Sequence, residues 1–537
     1  MTGTIDYLII GAGPAGLQLA ARLERSGRNY RVLEAGGGPG TFFETYPRHR
    51  TLISVNKRYT GSSDPEFSLR MDWNSILSSD TDDNDPSLLF TARTRKYFPD
   101  ADELVRYLRD FAEKTGVNVS YDSRVENVVK KQGLFEIITR HETLTARTVI
   151  VATGVSKLNF PDVEGADTIE RYDTVSVDPD DFIDQRVLIL GKGNSAFETA
   201  DNLVETAAVL HVAGASPIRL AWRTHYVGHL RAVNNNFLDT YQLKSQNAIL
   251  DGTVKSIRNN ENGTYTVVFS FSRADEVQKE LTYDRVIACT GFRFDASIFE
   301  GDARPELVIN DRFPNQTSAW ESTNVPGLYI AGTLSQVRDF KKSTNGFIHG
   351  FRYGVRALGK ILDQRYENQE WPSRGIEATP EAITGKIIER INRTSALWQQ
   401  FDVLADVVTV QGGQGVQSLQ GGQDAQDGRA SYLEEVPVAY FKDGGIGSPE
   451  HAFLVTLEYG PDHDKVDPFD ITVTRIAQDT PGQAHDAAYL HPVVRHYRDG
   501  ELAGTHHLAE NLENEWDRPA VHVEPLIAFV KEQLGAR

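Results

Sequence analysis

The sequence lacks the groups that several kinds of chemistry require. Its 537 residues include one cysteine, Cys289, which excludes an intramolecular disulfide and dithiol–disulfide reductase chemistry. The histidines at 485, 491, 496, 506, 507 and 522 show neither H-x-x-x-H nor H-E-x-x-H spacing, and no metal site is predicted. No run approaches about 18 apolar residues, and no signal segment precedes the first predicted strand. We therefore expect a cytoplasmic protein without a membrane-spanning helix.

Positive charge is also scarce in this chain. Lys and Arg number 56 against 75 Asp and Glu, which gives a formal net charge of −19. This balance argues against a nucleic-acid surface and against binding to an anionic membrane. We expect a small-molecule substrate as the partner, with no nucleic acid and no membrane, and we leave a homodimer open.

The chain begins with a motif that is typical of dinucleotide binding. A short apolar run, Tyr7–Ile10, predicts a buried parallel strand, and Gly11, Gly13 and Gly16 follow it with G-x-G-x-x-G spacing. Glu34 ends the next predicted strand, where a carboxylate can accept hydrogen bonds from ribose hydroxyls. Because related two-domain flavoproteins place their FAD unit first, the position of this motif favours FAD over NAD.

A second motif of this kind starts after Arg186. Gly191 and Gly193 keep the tight turn, and Ala196 stands at the third position as a residue small enough for close helix–strand packing. Residues 218–223 predict the second strand of this unit, which would end at Arg223. A cation at that place suits the 2′-phosphate of NADP, so the sequence favours NADPH over NADH, with a solvated strand-end Arg as the alternative.

Three further apolar runs end in small residues that can close over a dinucleotide. They end at Thr153-Gly154, Thr290-Gly291 and Gly332-Thr333. The remaining residues predicted to contact a cofactor lie in or beside these motifs: Pro14, Ala15, Ala35, Arg48, Leu52, Val125, Asn194 and Ser195. The expected cofactors are therefore FAD and NADPH.

These patterns predict an α/β fold with two Rossmann-like dinucleotide-binding domains and a small C-terminal α+β region. The NADP domain is inserted into the FAD domain. The predicted boundaries are 1–160 and 285–365 for the FAD-binding domain, 161–284 for the NADP-binding domain, 366–410 for a helical connection, 411–431 for a flexible linker and 432–537 for the C-terminal region. Within that last region, Phe453–Glu458 and Phe469–Arg475 alternate as strands do, and Pro525–Leu534 predicts a helix.

Together with the two glycine motifs, Asn56 in LISVNK (52–57) resembles the pattern of flavin-containing monooxygenases, whose corresponding Asn sits over the flavin. Over most of its length the chain also resembles animal endoplasmic-reticulum FAD-dependent oxidoreductases, notably in YFPDADELVRYL (97–108). One departure concerns the F-x-G-x-x-x-H fingerprint of the monooxygenases, because ERYDTVSVD (170–178) stands in its place.

The resemblance implies that NADPH reduces FAD, that O₂ adds at the flavin C4a, and that the resulting (hydro)peroxide oxygenates a small soluble substrate at an amine or other soft nucleophile. Asn56 would be the catalytic residue, its amide holding the flavin–oxygen adduct, with an Asn that caps a turn as the alternative. Two other functions stay open: an NADPH oxidase or reductase that makes H₂O₂ or reduces another acceptor, and a non-catalytic flavoprotein scaffold.

Overall fold

A computed structural model of the chain describes residues 3–80, 84–240, 247–410, 429–461, 463–465 and 467–535. In chain order its strands are β1 (Ile5–Ile10), β2 (Tyr30–Leu33), β3 (Val119–Ser120), β4 (Val125–Lys131), β5 (Leu134–Thr139), β6 (Thr143–Val151), β7 (Lys157–Leu158), β8 (Glu170–Arg171), β9 (Arg186–Leu190), β10 (Val209–Gly214), β11 (Asn247–Asn259), β12 (Tyr265–Phe271), β13 (Val277–Tyr283), β14 (Arg285–Ala288), β15 (Phe292–Arg293), β16 (Leu307–Val308), β17 (Phe313–Pro314), β18 (Leu328–Ile330), β19 (Ser373–Glu377), β20 (Leu404–Val410), β21 (Arg429–Pro437), β22 (His451–Glu458), β23 (His491–Arg498) and β24 (Glu501–His507).

The α-helices are α1 (Pro14–Arg25), α2 (Thr41–Thr45), α3 (Pro65–Ser68), α4 (Ala101–Thr115), α5 (Asn194–Leu203), α6 (Ala221–Thr224), α7 (Asn236–Asp239), α8 (Ile348–Tyr366), α9 (Pro380–Arg393), α10 (Ala396–Gln399), α11 (Val438–Lys442) and α12 (Glu524–Gln533). Among the described residues, no helix is both long enough and apolar enough to cross a membrane.

The first sheet has the strand order β3-β2-β1-β6-β5-β4, and β18 also pairs with β6. Strand β1 runs parallel to both β2 and β6, and its residues from Tyr7 to Ile10 are buried, as an apolar run between two neighbouring strands requires. Helix α1 buries Leu17, Leu19 and Ala20 next to this sheet and packs against α8. The carboxyl ends of the parallel strands therefore point towards the start of α1.

The second sheet is an insertion into the first. After β6 the chain forms a second sheet, whose strand order is β13-β12-β11-β10-β9-β14-β8. It returns to the first sheet with β18. Two units of this kind, one inserted in the other, confirm the predicted fold class. The second strand of the inserted unit was placed wrongly, however. That strand is β10, which ends at Gly214, whereas Arg223 lies in the short helix α6.

The C-terminal part of the chain forms a third sheet of order β19-β21-β20-β22-β23-β24. Its first two strands in sequence, β19 and β20, come from the segment predicted as a helical connection, so 366–410 is only partly helical. Most of the predicted linker, residues 411–428, lies outside the described residues. Residues 453–458 belong to β22 as expected, but Phe469–Arg475 forms no strand; the predicted final helix is present as α12.

Buried ion pairs join this third sheet to the unit built around the first sheet, which we call the flavin unit. Arg390 of α9 has a side chain only 1% exposed and contacts Glu66, from the long excursion after β2, and Asp406 of β20 at 3.1 Å. Arg356 of α8 donates from Nε to Glu435 of β21 at 2.7 Å. The Arg390–Glu66 and Arg356–Glu435 pairs connect residues 324 and 79 positions apart in sequence, so the C-terminal sheet is docked on the core rather than tethered beside it.

Candidate active site

The first glycine loop has the shape that a dinucleotide pyrophosphate needs. Gly11 has a φ of +105°, and a Cβ there would lie 2.7 Å from the carbonyl oxygen of Ala152. A Cβ on Gly16 would overlap the carbonyl oxygen of Gly11, because α1 packs tightly on β1 at this point. A Cβ on Gly13 would meet nothing within 4 Å. The two outer glycines thus allow close packing, while the middle one leaves open space at the N-terminus of α1, where an anion is stabilised.

Glu34 completes this first site at the end of β2. Its carboxylate accepts hydrogen bonds from the main-chain N–H of Ala12 at 2.7 Å and of Gly36 at 2.9 Å. It is therefore held beside the glycine loop, at the place where a ribose would reach it. The residues present fit an FAD molecule with its pyrophosphate at Gly13 and its ribose at Glu34.

The second glycine loop repeats this arrangement. Gly191 has a φ of +124°, and a Cβ there would overlap the carbonyl oxygen of Cys289, whereas a Cβ on Gly193 would meet nothing within 4 Å. Ala196, at the third position, is fully buried on α5. This position accommodates a methyl group, whereas a Cβ at the corresponding Gly16 would overlap the carbonyl oxygen of Gly11. This loop is the candidate site for the second dinucleotide.

One cavity of about 340 Å³ connects the two loops. Ten of the residues predicted to bind a cofactor line it: Gly13, Pro14, Ala15, Leu52, Thr153, Gly154, Asn194, Ser195, Gly332 and Thr333. The other predicted binding residues do not: Gly11, Gly16, Glu34, Ala35, Arg48, Val125, Gly191, Gly193, Ala196, Arg223, Thr290 and Gly291. The cavity therefore lies where the first and second units face each other.

Aromatic side chains form much of the cavity wall, and the sequence did not single them out. Phe42, Tyr46, Phe292, Phe347 and Phe351 all line it. Tyr46 packs edge-to-face on Phe292 with ring centroids 4.9 Å apart. Phe42 and Tyr46 come from the Gly-rich bend after Glu34, and Phe292 follows the second Thr-Gly, so their positions next to known motifs were the signal that could have found them. Such a wall excludes water from anything bound inside.

The cavity wall also contains one carboxyl group, that of Glu198 on α5. The hydroxyl of Tyr172 donates a hydrogen bond to Glu198 Oε1. Burial raises the pKa of Glu198 to about 7, opposed by the hydrogen bond from Tyr172 and by Arg48. Sequence reasoning missed this residue, although Glu198 follows Asn194 by four positions and so shares a helix face with it.

Asn56 does not line the cavity. Its side chain is buried, and its Nδ2 donates to the carbonyl oxygens of Thr94 at 2.9 Å and Lys96 at 3.2 Å. Both amide hydrogens are therefore used to brace the segment before α4, and neither is free to hold an oxygen adduct. In this arrangement the Asn56 amide supports that segment, a structural role different from the turn cap considered for it in the sequence.

Two basic residues also differ from their predicted roles. Arg48 was expected to contact a cofactor, and its Nη2 donates to the carbonyl oxygen of Val175 at 2.8 Å, which joins the two dinucleotide units. Arg223 is exposed on α6, away from the end of β10. The cation at the end of β10 is Lys192, whose Nζ donates to the carbonyl oxygen of Ser216 at 3.1 Å and pairs with Asp251.

Several other residues that were predicted to contact a cofactor lie at the ends of strands. Gly154 and Gly291 both adopt positive φ after their strands, at +63° and +85°. The Thr290 hydroxyl donates to the carbonyl oxygen of Asn159, and Val125 is buried at the start of β4. Among the described residues no group of three or more His, Cys, Asp or Glu side chains could hold a metal ion.

Comparison with known proteins places this architecture in a family. The family model described as pyridine nucleotide-disulphide oxidoreductase matches residues 8–332. The chain is 37% identical to the mouse protein named FAD-dependent oxidoreductase domain-containing protein 2, over 98% of this chain and 84% of that protein. It is also 30% identical to an Arabidopsis thaliana protein named flavin-containing monooxygenase FMO GS-OX-like 9, over 38% of this chain and 49% of the relative.

Among solved structures, the chain is similar to a flavin-containing monooxygenase from Stenotrophomonas maltophilia. The TM-score is 0.51 at 20% sequence identity, over 68% of this chain and 99% of the other. At this identity the likeness shows the shared fold. It covers 68% of the chain, whereas the mouse relative matches 98% of it.

Proposed function

Because the chain belongs to the pyridine nucleotide-disulphide oxidoreductase family and is an FAD-dependent oxidoreductase, we propose that it is an NADPH-dependent monooxygenase acting on a small molecule. The observation that carries this proposal is the single cavity between the two glycine loops, together with the cysteine content. Cys289 is the only cysteine, and it is buried outside the cavity wall. Electrons that reach the flavin therefore have no protein disulfide to reduce, which leaves O₂ or a substrate as the acceptor.

The residues of the chain contribute binding and exclusion of water. Gly13 and Glu34 would hold the pyrophosphate and ribose of FAD, and Gly193 would take the pyrophosphate of NADPH. FAD, when bound, supplies hydride acceptance from the nicotinamide and reaction with O₂. The aromatic wall around Tyr46 and Phe292 would keep water out of the space between the two cofactors.

Lys192 supports NADPH over NADH in place of Arg223. Its ammonium group lies at the carboxyl end of β10, the region where a 2′-phosphate meets a cation in NADP-binding units. Asp251 pairs with Lys192 and also with Arg273 at 2.7 Å, so two cations share one carboxylate there. The net positive charge of this group favours the additional phosphate of NADPH. We propose an amine or another soft nucleophile as the substrate, as the monooxygenase resemblance implies.

A second candidate is an NADPH oxidase that releases H₂O₂. The bonds of Asn56 favour it, because the amide that the monooxygenase pattern would place over the flavin is committed to Thr94 and Lys96. Without a preorganised donor, an oxygen adduct would break down faster. The two candidates share every step up to the reduction of the flavin.

The test is NADPH-dependent oxygen uptake by the FAD-loaded protein, with and without a panel of amines, while H₂O₂ is quantified. A monooxygenase consumes NADPH faster with its substrate and forms less H₂O₂ than the NADPH it oxidises. The same protein stripped of FAD is the control. H₂O₂ equal to NADPH under every condition would establish the oxidase, and no NADPH oxidation at all would leave only the scaffold.

A further inference from the structure

Among the described residues that line the cavity, Glu198 is the only one with a carboxyl group. It lies on α5 four residues after Asn194, and both residues face the cavity. At 1.5 Å per residue, the carboxyl-bearing residue is about 6 Å along the helix axis from the N-terminus where the second pyrophosphate would bind. A negative charge at that distance in an apolar surrounding would repel a bound anion.

A hydrogen bond from Tyr172 holds the carboxyl group of Glu198 in place. Tyr172, which follows β8, donates its hydroxyl hydrogen to Glu198 and accepts from the main-chain N–H of Arg48 at 3.4 Å. Its ring stacks on that of Tyr46 with centroids 5.7 Å apart. Glu198 therefore cannot swing away from the second dinucleotide without breaking its hydrogen bond with Tyr172, a contact within the second unit that Tyr172 extends to Tyr46 and Arg48 of the first.

Among the charged and titratable groups around Glu198, the carboxyl group of Glu198 itself is the one that changes charge near neutral pH. Burial raises the pKa of the Tyr172 hydroxyl far above its usual value, and burial raises the pKa of the Cys289 thiol, at the end of β14, to about 12. Burial lowers the pKa of His49, next to Arg48, to about 4. Arg48 contributes a constant positive charge, and the hydroxyl of Tyr46 has a raised pKa through burial.

We propose that Glu198 couples binding of the second dinucleotide to a proton: the anionic dinucleotide binds tightly when the carboxyl is protonated and more weakly when it is ionised. This inference rests on the proposed NADPH dependence and adds a pH response to that site. By linkage, a ligand that binds the protonated form better must raise the pKa of Glu198 when it binds. A neutral carboxyl also keeps its hydrogen bond with Tyr172, so protonation does not require the wall to move.

The experiment measures the affinity of NADP⁺ for the FAD-loaded protein between pH 7 and pH 9 by titration calorimetry. In this range the 2′-phosphate, with a second pKa of about 6, is already ionised. If binding raises the pKa of Glu198 by about one unit from 7, the affinity should be about fivefold weaker at pH 9 than at pH 7. Glu198→Gln should bind equally well at both pH values, and Glu198→Asp should keep the pH dependence.

Two further variants separate a proton-linked role from a structural one. Tyr172→Phe removes a donor to the carboxylate, so the midpoint of the pH response should move to higher pH. Glu205→Gln, on an exposed residue just after α5, should leave the response of the wild type unchanged. FAD content and thermal midpoint, measured for each variant, show whether the fold is kept.

Three outcomes would overturn the proposal. If wild-type affinity is constant from pH 7 to pH 9, or if Glu198→Gln keeps the same slope, Glu198 is not the coupled group, and the proposed NADPH dependence is unaffected. If NADP⁺ binds at no pH, both this inference and the NADPH dependence fail.

Discussion

The flavin unit and the C-terminal sheet are stabilised by opposite means. At Gly11 and Gly16 the structure depends on the absence of side chains, because backbone from the next strand or turn occupies the space where a Cβ would lie. At Arg390 and Arg356 it depends on long charged side chains that reach buried carboxylates far away in sequence. The glycine positions of the first region tolerate no added side chain. The ion pairs of the second region join residues far apart in sequence and tolerate no loss of a charged side chain.

The largest expected effect comes from Gly16→Ala. The added Cβ would overlap the carbonyl oxygen of Gly11, a backbone atom that cannot move without displacing the whole loop. We expect loss of bound FAD, measured as the flavin-to-protein ratio after purification. The matched control is Ala196→Gly at the same position of the second loop, which should retain FAD and cost only about 1 kcal/mol of helix propensity. Equal flavin content in both variants would mean that the two loops have the same spacing after all.

The next effect is that of Arg390→Met on the C-terminal side. The change leaves Glu66 and Asp406 buried without their shared cation, which destabilises a protein by about 3–5 kcal/mol. We expect a lower urea midpoint, followed by circular dichroism and by release of the flavin. Lys131→Met, at an exposed pair with Glu136, is the control and should cost under about 1 kcal/mol. A midpoint for Arg390→Met as high as that of the control would show that the network does not hold the sheet in place.

These two regions also differ in how far the sequence predicts them. The spacing of Gly11, Gly13 and Gly16 identifies the loop because all three lie within six residues, although the carbonyl oxygen next to Gly11 belongs to Ala152, far along the chain. The strands β19 and β20 were missed because they flank helices and pair with β21, beyond residues 411–428, so no local pattern marks them as one sheet. Arg223 was misplaced for a related reason: residues 218–223 were interpreted as a strand, whereas residues 209–214 form it as β10.

A smaller effect is expected for Asn56→Ala. The variant loses two partly buried hydrogen bonds, to the main-chain carbonyls of Thr94 and Lys96, which together cost roughly 1–3 kcal/mol. The ratio of H₂O₂ formed to NADPH oxidised should stay at the wild-type value. A rise of that ratio towards one, in a protein with normal FAD content, would restore Asn56 as the residue that protects an oxygen adduct.

The smallest expected effect is that of Arg223→Ala. Because Arg223 is exposed on α6, the preference for NADPH over NADH should change by less than about twofold, measured as the ratio of kcat/KM values. Lys192→Met provides the comparison and should lower that preference, since a charge-assisted contact to a phosphate is worth about 1.5–3 kcal/mol, or roughly 10- to 150-fold. A larger loss of NADPH preference in Arg223→Ala than in Lys192→Met would assign the contact with the 2′-phosphate to Arg223.

The claim on which the account depends is that the two glycine loops serve one cavity, so that a nicotinamide dinucleotide in the second loop reduces the FAD in the first. Anaerobic mixing of the FAD-loaded protein with NADPH in a stopped-flow spectrometer tests this without any substrate. We expect the flavin absorbance to be bleached within the turnover time, faster with NADPH than with NADH. A flavin that stays oxidised with both dinucleotides, in a protein that retains its FAD, would contradict the account.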